Sequence, residues 1–197
     1  MDAMVDPTAS PAPFLADYTF YERHEAAVGD APPSRIIDAV AAFDMRDDPV
    51  IGTLLRAREW PARLVQGLGG KQCERFDLSA FTPLYRDDRE LMLGLAGRFW
   101  RPDFGLVTVA DAAAFIALTR RGIARLVLRF RVPEEAKDEA RDGAKHNARL
   151  VTETFVACPS FGTKALMTPY WFPIRASSGW IRKPTLAAVA KALATPR

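Results

Sequence analysis

Alternation of apolar with polar side chains constrains this chain more than any other feature. Three stretches carry it: YTFYERHEAAV (Tyr18 to Val28), LMLGLAGRFWR (Leu91 to Arg101) and ARLVTETFVAC (Ala148 to Cys158). A fourth, Ile123 to Val132, is the cleanest, with Ala124, Leu126, Leu128, Phe130 and Val132 set against Arg125, Val127, Arg129 and Arg131. A period of two marks a strand whose successive side chains point to opposite faces of a sheet. The aliphatic set is therefore expected in the core and the arginine set toward water.

Between these strands the punctuation is readable. Residues 1 to 16, with Pro7, Pro11 and Pro13 among Ala, Ser and Thr, read as a flexible arm outside the fold. After the first strand, Pro32 and Pro33 break the chain. Ser34 then stands near a helix start, and Ile36, Ile37, Val40 and Phe43 recur at helical spacing. A second short helix is expected from Asp47 or Asp48 through Arg58, stopped by Pro61. Gly67, Gly69 and Gly70 lie in a loop without the Lys-Ser/Thr ending of a phosphate-binding loop.

Further on, Arg86-Asp87-Asp88-Arg89 suits a hairpin turn between strands at Ser79 to Tyr85 and Glu90 to Trp100. A short strand is expected at Gly105 to Val109, a brief helix in DAAAFIALTRRG, and a polar hairpin loop over Pro133 to Asn147. After Pro159 the period lengthens: Phe161, Leu166, Met167, Tyr170, Trp171 and Ile174 begin a long helix, with Pro169, Pro173, Gly179 and Pro184 expected to kink or interrupt it.

Composition excludes several classes. At 197 residues and 49% hydrophobic, the chain can bury one sizeable core. Its 27 basic and 24 acidic side chains are intermixed, without the basic stripe that nucleic-acid binding calls for. Two cysteines, Cys73 and Cys158, make neither a disulfide framework nor a Cys-x-x-Cys metal site, so a reducing cytoplasm is the expected compartment. Asp2, Asp6 and the prolines of the amino terminus do not fit a signal peptide. No apolar run reaches the length of a membrane span. Only two histidines occur, His24 and His146, and the second sits in the polar Lys145-His146-Asn147 loop with no carboxylate pair at ligand spacing around it, so no metal is expected, nor any other cofactor. No Gly-x-Ser-x-Gly elbow marks a hydrolase.

The phrases Glu22-Arg23-His24, Gly94 through Trp100, Thr152-Glu153-Thr154, Tyr170-Trp171, Ile174-Arg175 and Ser178 through Arg182 occur in that order over residues 18 to 192. In this order they resemble the START-like, or SRPBCC, helix-grip superfamily. Phe155 departs from the basic residue that often follows Thr-Glu-Thr there. The resemblance implies an α+β helix-grip fold: a curved antiparallel sheet wrapped around a long C-terminal helix, with two short helices after the first strand, all within one domain over residues 17–197. It also implies that the first and last strands are neighbours.

Those two strands supply the candidate site. If Ala26 and Val28 face the interior, period two brings Glu22 and His24 to the same face. On the last strand, Leu150 and Val156 bring Thr152 and Thr154 inward, leaving Arg149, Val151, Glu153 and Phe155 outward. A carboxylate beside an imidazole fixes its tautomer and raises its basicity, the minimum for acid–base chemistry. Arg98 suits an anionic ligand group or a bridge to Glu22 or Glu153, and Met167, Tyr170 and Trp171 suit an apolar wall. Each group has a plain structural role as an alternative, a satisfied buried polar network or ordinary core. The expected function is binding of a small hydrophobic or amphipathic molecule between sheet and C-terminal helix. The alternatives are a cyclase or dehydratase using Glu22 and His24, and a non-catalytic interaction protein. The residues leave binding and catalysis both open.

Overall fold

The computed structural model describes residues 11, 14–42, 80–101, 103–134 and 148–172. Five strands form one sheet: β1 (Phe20–Ala27), β2 (Thr82–Arg86), β3 (Glu90–Gly97), β4 (Ala124–Arg131) and β5 (Arg149–Ala157). Their spatial order is β1-β5-β4-β3-β2, with every neighbouring pair antiparallel. The first strand thus lies beside the last, and the cleanest alternating strand, β4, takes the centre. Three helices accompany the sheet among the described residues: α1 (Pro33–Ala41), α2 (Ala112–Ala117) and α3, described over 161–172. The expected second helix over 47–58, the glycine loop, residues 135–147 and everything beyond 172 lie outside the described residues.

The inner face of the sheet carries the larger core. Leu91, Leu93 and Leu95 from β3, Phe130 from β4, and Leu150 and Val156 from β5 pack with Ile36, Ile37 and Val40 of α1 and with Met167 and Trp171 of α3. Both helices therefore lie on one side of the sheet. Local chemistry sets their ends. Pro33 occupies the first turn of α1, where a missing N–H costs nothing. At the start of α3, the Ser160 hydroxyl accepts from the Thr163 amide at 3.2 Å. Inside α3, Thr168 Oγ1 donates to the Lys164 carbonyl at 2.7 Å, one residue before the expected breaker Pro169, and the chain stays helical through 172.

The outer face departs from the sequence expectation. Rather than meeting water, Val151, Glu153 and Phe155 are buried, and a second core forms around Phe14, Leu15, Leu84, Met92, Phe115 and Phe155. The chain just before β1 and the short helix α2 cover this end of the sheet. The arm assigned to residues 1–16 is thereby corrected at its end: Phe14 and Leu15 are buried, drawn in by the apolar side chains of β5. Strands covered on both faces lose the clean alternation of a half-buried strand, and β3 and β5 are buried along almost their whole length. On β4, Phe130 is buried whereas Leu126 and Leu128 are half-buried. Arg125, Arg129 and Arg131 are half-buried as well, because they are engaged on the covered face.

Two glycines of β3 permit close approaches. A Cβ on Gly94 would stand 2.9 Å from both Leu84 Cδ1 and Phe115 Cε2, so this glycine lets α2 press its phenylalanine onto the sheet. A Cβ on Gly97 would stand 2.9 Å from the carbonyl oxygen of Phe104, where the chain folds back and Arg98 N donates to that same oxygen. Backbone yields less readily than a side-chain tip. Gly97→Ala is therefore expected to cost about 1–3 kcal/mol and more than Gly94→Ala, as read from urea denaturation midpoints. The expected strand at Gly105 to Val109 reduces to a single bridge between Ala96 and Val107.

The hairpin joining β2 to β3 turns where the sequence indicates. Asp87 Oδ1 accepts from the amides of Arg89 and Glu90, each at 2.7 Å, and Oδ2 accepts from Tyr85 Oη at 2.7 Å. These donors favour the charged form, and the Tyr85 bond foremost holds the Asp87 carboxyl below its usual range. A depressed folded-state pKa contributes stability that is present above the unfolded pKa, near about 4, and is lost as pH falls through the lower folded value. The destabilisation caused by Asp87→Ala should accordingly shrink as pH is lowered below about 4, measured by parallel urea melts of the two proteins.

Candidate functional site

The pairing of β1 with β5 sets Glu22 opposite Thr154 and His24 opposite Thr152. The four side chains share the inner face, as period two predicts. Across the next strands the same rows become apolar: Thr154 pairs with Leu128 and then Leu93, Thr152 with Phe130 and then Leu91. Along the strands they are bounded by Phe20 and Val156 on one side and by Ala26 and Leu150 on the other. A polar island of four residues thus interrupts an otherwise aliphatic and aromatic layer, at the β1 side of the sheet.

Within the island His24 Nε2 lies 2.8 Å from Glu22 Oε1. A carboxylate in its ionised form only accepts, so with that form Nε2 is the donor of this bond, and a ring carrying that single proton presents Nδ1 as a lone-pair acceptor. Glu22 is the deeper partner, its side chain 8% exposed against 27% for His24. Thr152 and Thr154 are buried beside them. The carboxylate therefore fixes the tautomer from behind, and the imidazole edge is the more accessible group. This arrangement can hold one polar end of a molecule or exchange one proton with it.

The closing helix supplies apolar surface next to the island. Trp171 stacks on Phe20 with ring centroids 5.3 Å apart and planes 30° apart, directly beside the Glu22 row. Met167 and Trp171 are buried and Tyr170 is half-buried, all in the inner core. These three sequence-selected residues are thus brought to the same core as the island.

Arg98 is not. It follows β3, three strand positions from β1, and lies five residues beyond Leu93, the residue in the Glu22 row. With strands roughly 4.8 Å apart and about 3.3 Å per residue, that puts it on the order of 20 Å from Glu22. Among the described residues its side chain has no ion-pair partner, and the expected bridge to Glu22 or Glu153 does not form. Its backbone instead closes the tight return after β3.

Sequence reasoning missed the cluster around Glu153 on the outer face. This carboxylate, 0% exposed, accepts from Tyr21 Oη at 2.8 Å and from Arg129 Nη1 at 3.4 Å. Arg131 Nε stands 3.2 Å from its Oε2, an ion pair without hydrogen-bond geometry. Arg129 also grips Glu90 through two bonds, Nε to Oε1 at 2.7 Å and Nη2 to Oε2 at 3.2 Å. The available signal was a lone glutamate at the centre of an apolar strand, since a buried charge needs partners. The register sets Glu153 opposite Arg129 on one side and Arg23 on the other; Arg129 answers it, Arg131 reaches it from opposite Val151, and Arg23 pairs with Glu25 instead.

Cys158, just past β5, is a free thiol whose pKa burial pushes up, partly offset by Thr19 and Lys164. That shift keeps it protonated near neutrality and unsuited to a nucleophile's role. His146 and Cys73 lie outside the described residues. Among the described residues no group of three or more His, Cys, Asp or Glu side chains is placed to hold a metal ion, and no helix is long and apolar enough to cross a membrane. Comparison with family models, with curated proteins and with solved structures gave no match.

Proposed function

We propose that the chain binds a small hydrophobic or amphipathic molecule between the inner face of the sheet and the C-terminal helix, in a helix-grip arrangement. The observation that carries this reading is the exposure of Leu126 and Leu128. Both stand on the inner face of the central strand, where a closed core would bury them fully, yet both are only half-buried. An apolar floor within reach of solvent, with one polar island beside it, has the composition of a ligand site. The molecule's polar end meets His24 and its apolar body lies along Leu126 and Leu128. The adjacency of the first and last strands, with α3 over the same face, supports the START-like reading. We infer a reducing, cytoplasmic setting from the scarcity of cysteine and the free thiol at Cys158.

A second reading, a cyclase or dehydratase, is favoured by one observation, the 2.8 Å bond that orients His24 through Glu22. In that case His24 Nδ1 takes a proton from the bound molecule and Glu22 stabilises the resulting imidazolium. Native mass spectrometry of freshly purified protein tests the binding reading, with dodecanoate and an anilinonaphthalene sulfonate dye as added probes. A retained small molecule or saturable uptake of a probe is expected, and His24→Gln should weaken probe binding by about tenfold while leaving the melting temperature close to wild type. The absence of both retention and uptake would overturn the proposal. Turnover of a bound molecule that His24→Gln abolishes would select the enzyme.

A further inference from the structure

Helix α3 buries only one of its sides. Thr163, Met167 and Trp171, spaced four apart, are buried against the fold. The opposite side carries Phe161, Leu166 and Phe172, exposed to 86%, 52% and 65%. At about 100° per residue, Phe161 and Phe172 lie within about 20° of one another around the helix and about 16 Å apart along it. Ala165, Pro169 and Gly162 fill the arc between Phe161 and Leu166, so about 140° of surface carries no charge. Scattered single apolar residues on a surface are ordinary, whereas three large ones on one short helix form a patch. Lys164 borders it on the other flank.

Charge is distributed unevenly with respect to this helix. After Glu153 the sequence contains six basic and no acidic side chains, a charge of +6 against −3 for the 21 basic and 24 acidic side chains up to and including it. Exposed phenylalanines beside Lys164, on a helix that the sequence continues with basic and no acidic side chains, match a negatively charged interface with an apolar interior. Nucleic acid fits less well, since the exposed arc offers hydrocarbon where phosphate contacts need a row of cations. A second copy fits less well too, because two stretches of the same sign repel.

We propose that the outward side of α3 is a docking surface for an anionic phospholipid bilayer. Phe161, Leu166 and Phe172 enter the boundary between headgroups and acyl chains, and Lys164 meets lipid phosphate or carboxylate at its edge. The surface lies across the helix from Met167 and Trp171, so it stands or falls independently of the ligand proposal.

Sedimentation of the full chain with vesicles of phosphatidylcholine alone, and of phosphatidylcholine with phosphatidylserine, provides the test. Binding is expected to the serine-containing vesicles and to weaken with added salt. The double variant Phe161→Ser, Phe172→Ser should lose about tenfold or more of that binding. Should this pair melt below the working temperature, Phe161→Gln alone, at the most exposed of the three positions, should still give a smaller loss. Absence of binding to either vesicle, binding unaltered in a folded variant, or preference for a single-stranded oligonucleotide over the vesicles would each overturn the proposal.

Discussion

Replacing Glu153 with alanine is expected to cost about 3–5 kcal/mol of folding free energy, measured by urea denaturation at neutral pH. The side chain is fully buried on the outer face, accepts from Tyr21 and Arg129, and pairs its charge with Arg131. Its removal takes from the Arg131 guanidinium the anionic partner it has among the described residues and takes from Arg129 one of its two carboxylates there, Glu90 being the other. The large cost comes from stranding charge in a poorly hydrated place, which differs from the net worth of the cluster. Replacing Glu153 and Arg131 together by apolar residues of similar volume should therefore cost less than Glu153→Ala alone. A loss below about 0.5 kcal/mol for Glu153→Ala, typical of surface positions, would contradict the buried placement.

Phe155→Ala should be as damaging, at about 3–5 kcal/mol. The ring is fully buried and sits edge-on to Tyr18, with centroids 5.2 Å apart, and tilted against Tyr21 at 5.0 Å. Phe14, Leu15 and Phe115 complete its surroundings. Because the chain before β1 is held there by apolar contact, the same substitution should speed proteolytic cleavage near Phe14 and Leu15. Limited proteolysis followed by amino-terminal sequencing reads that effect. Cleavage at the same rate in wild type and variant would show that Phe155 does not hold the segment.

How far the sequence announces these features depends on how local their causes are. The five strands and the Asp87 turn follow from period two and from hydrogen-bonding side chains within a few residues and are found where the sequence places them, whereas the strand expected at Gly105 to Val109 is only a bridge. The shared face of Glu22 and His24 is equally local. Their meeting with Thr154 and Thr152 needed the adjacency of β1 and β5, which the family resemblance implied and periodicity alone does not supply. The burial of Phe155 and Glu153 was illegible for the opposite reason. What covers them comes from residues 14–15 and from α2, both remote in sequence, so an inward–outward assignment based on one covered face fails. Arg98 was misplaced by the same gap: its neighbourhood depends on β3 standing two strands from β5, a fact of strand order rather than of motif.

The ligand proposal rests on His24 as the accessible polar contact of an otherwise apolar face. The chain has only two histidines, so imidazole resonances in nitrogen-detected NMR fall into two sets, assigned by His24→Gln. Adding dodecanoate should shift the His24 set saturably and leave that of His146 unchanged. No change in either set, or equal drift of both without saturation, would contradict a ligand contact at the Glu22–His24 island.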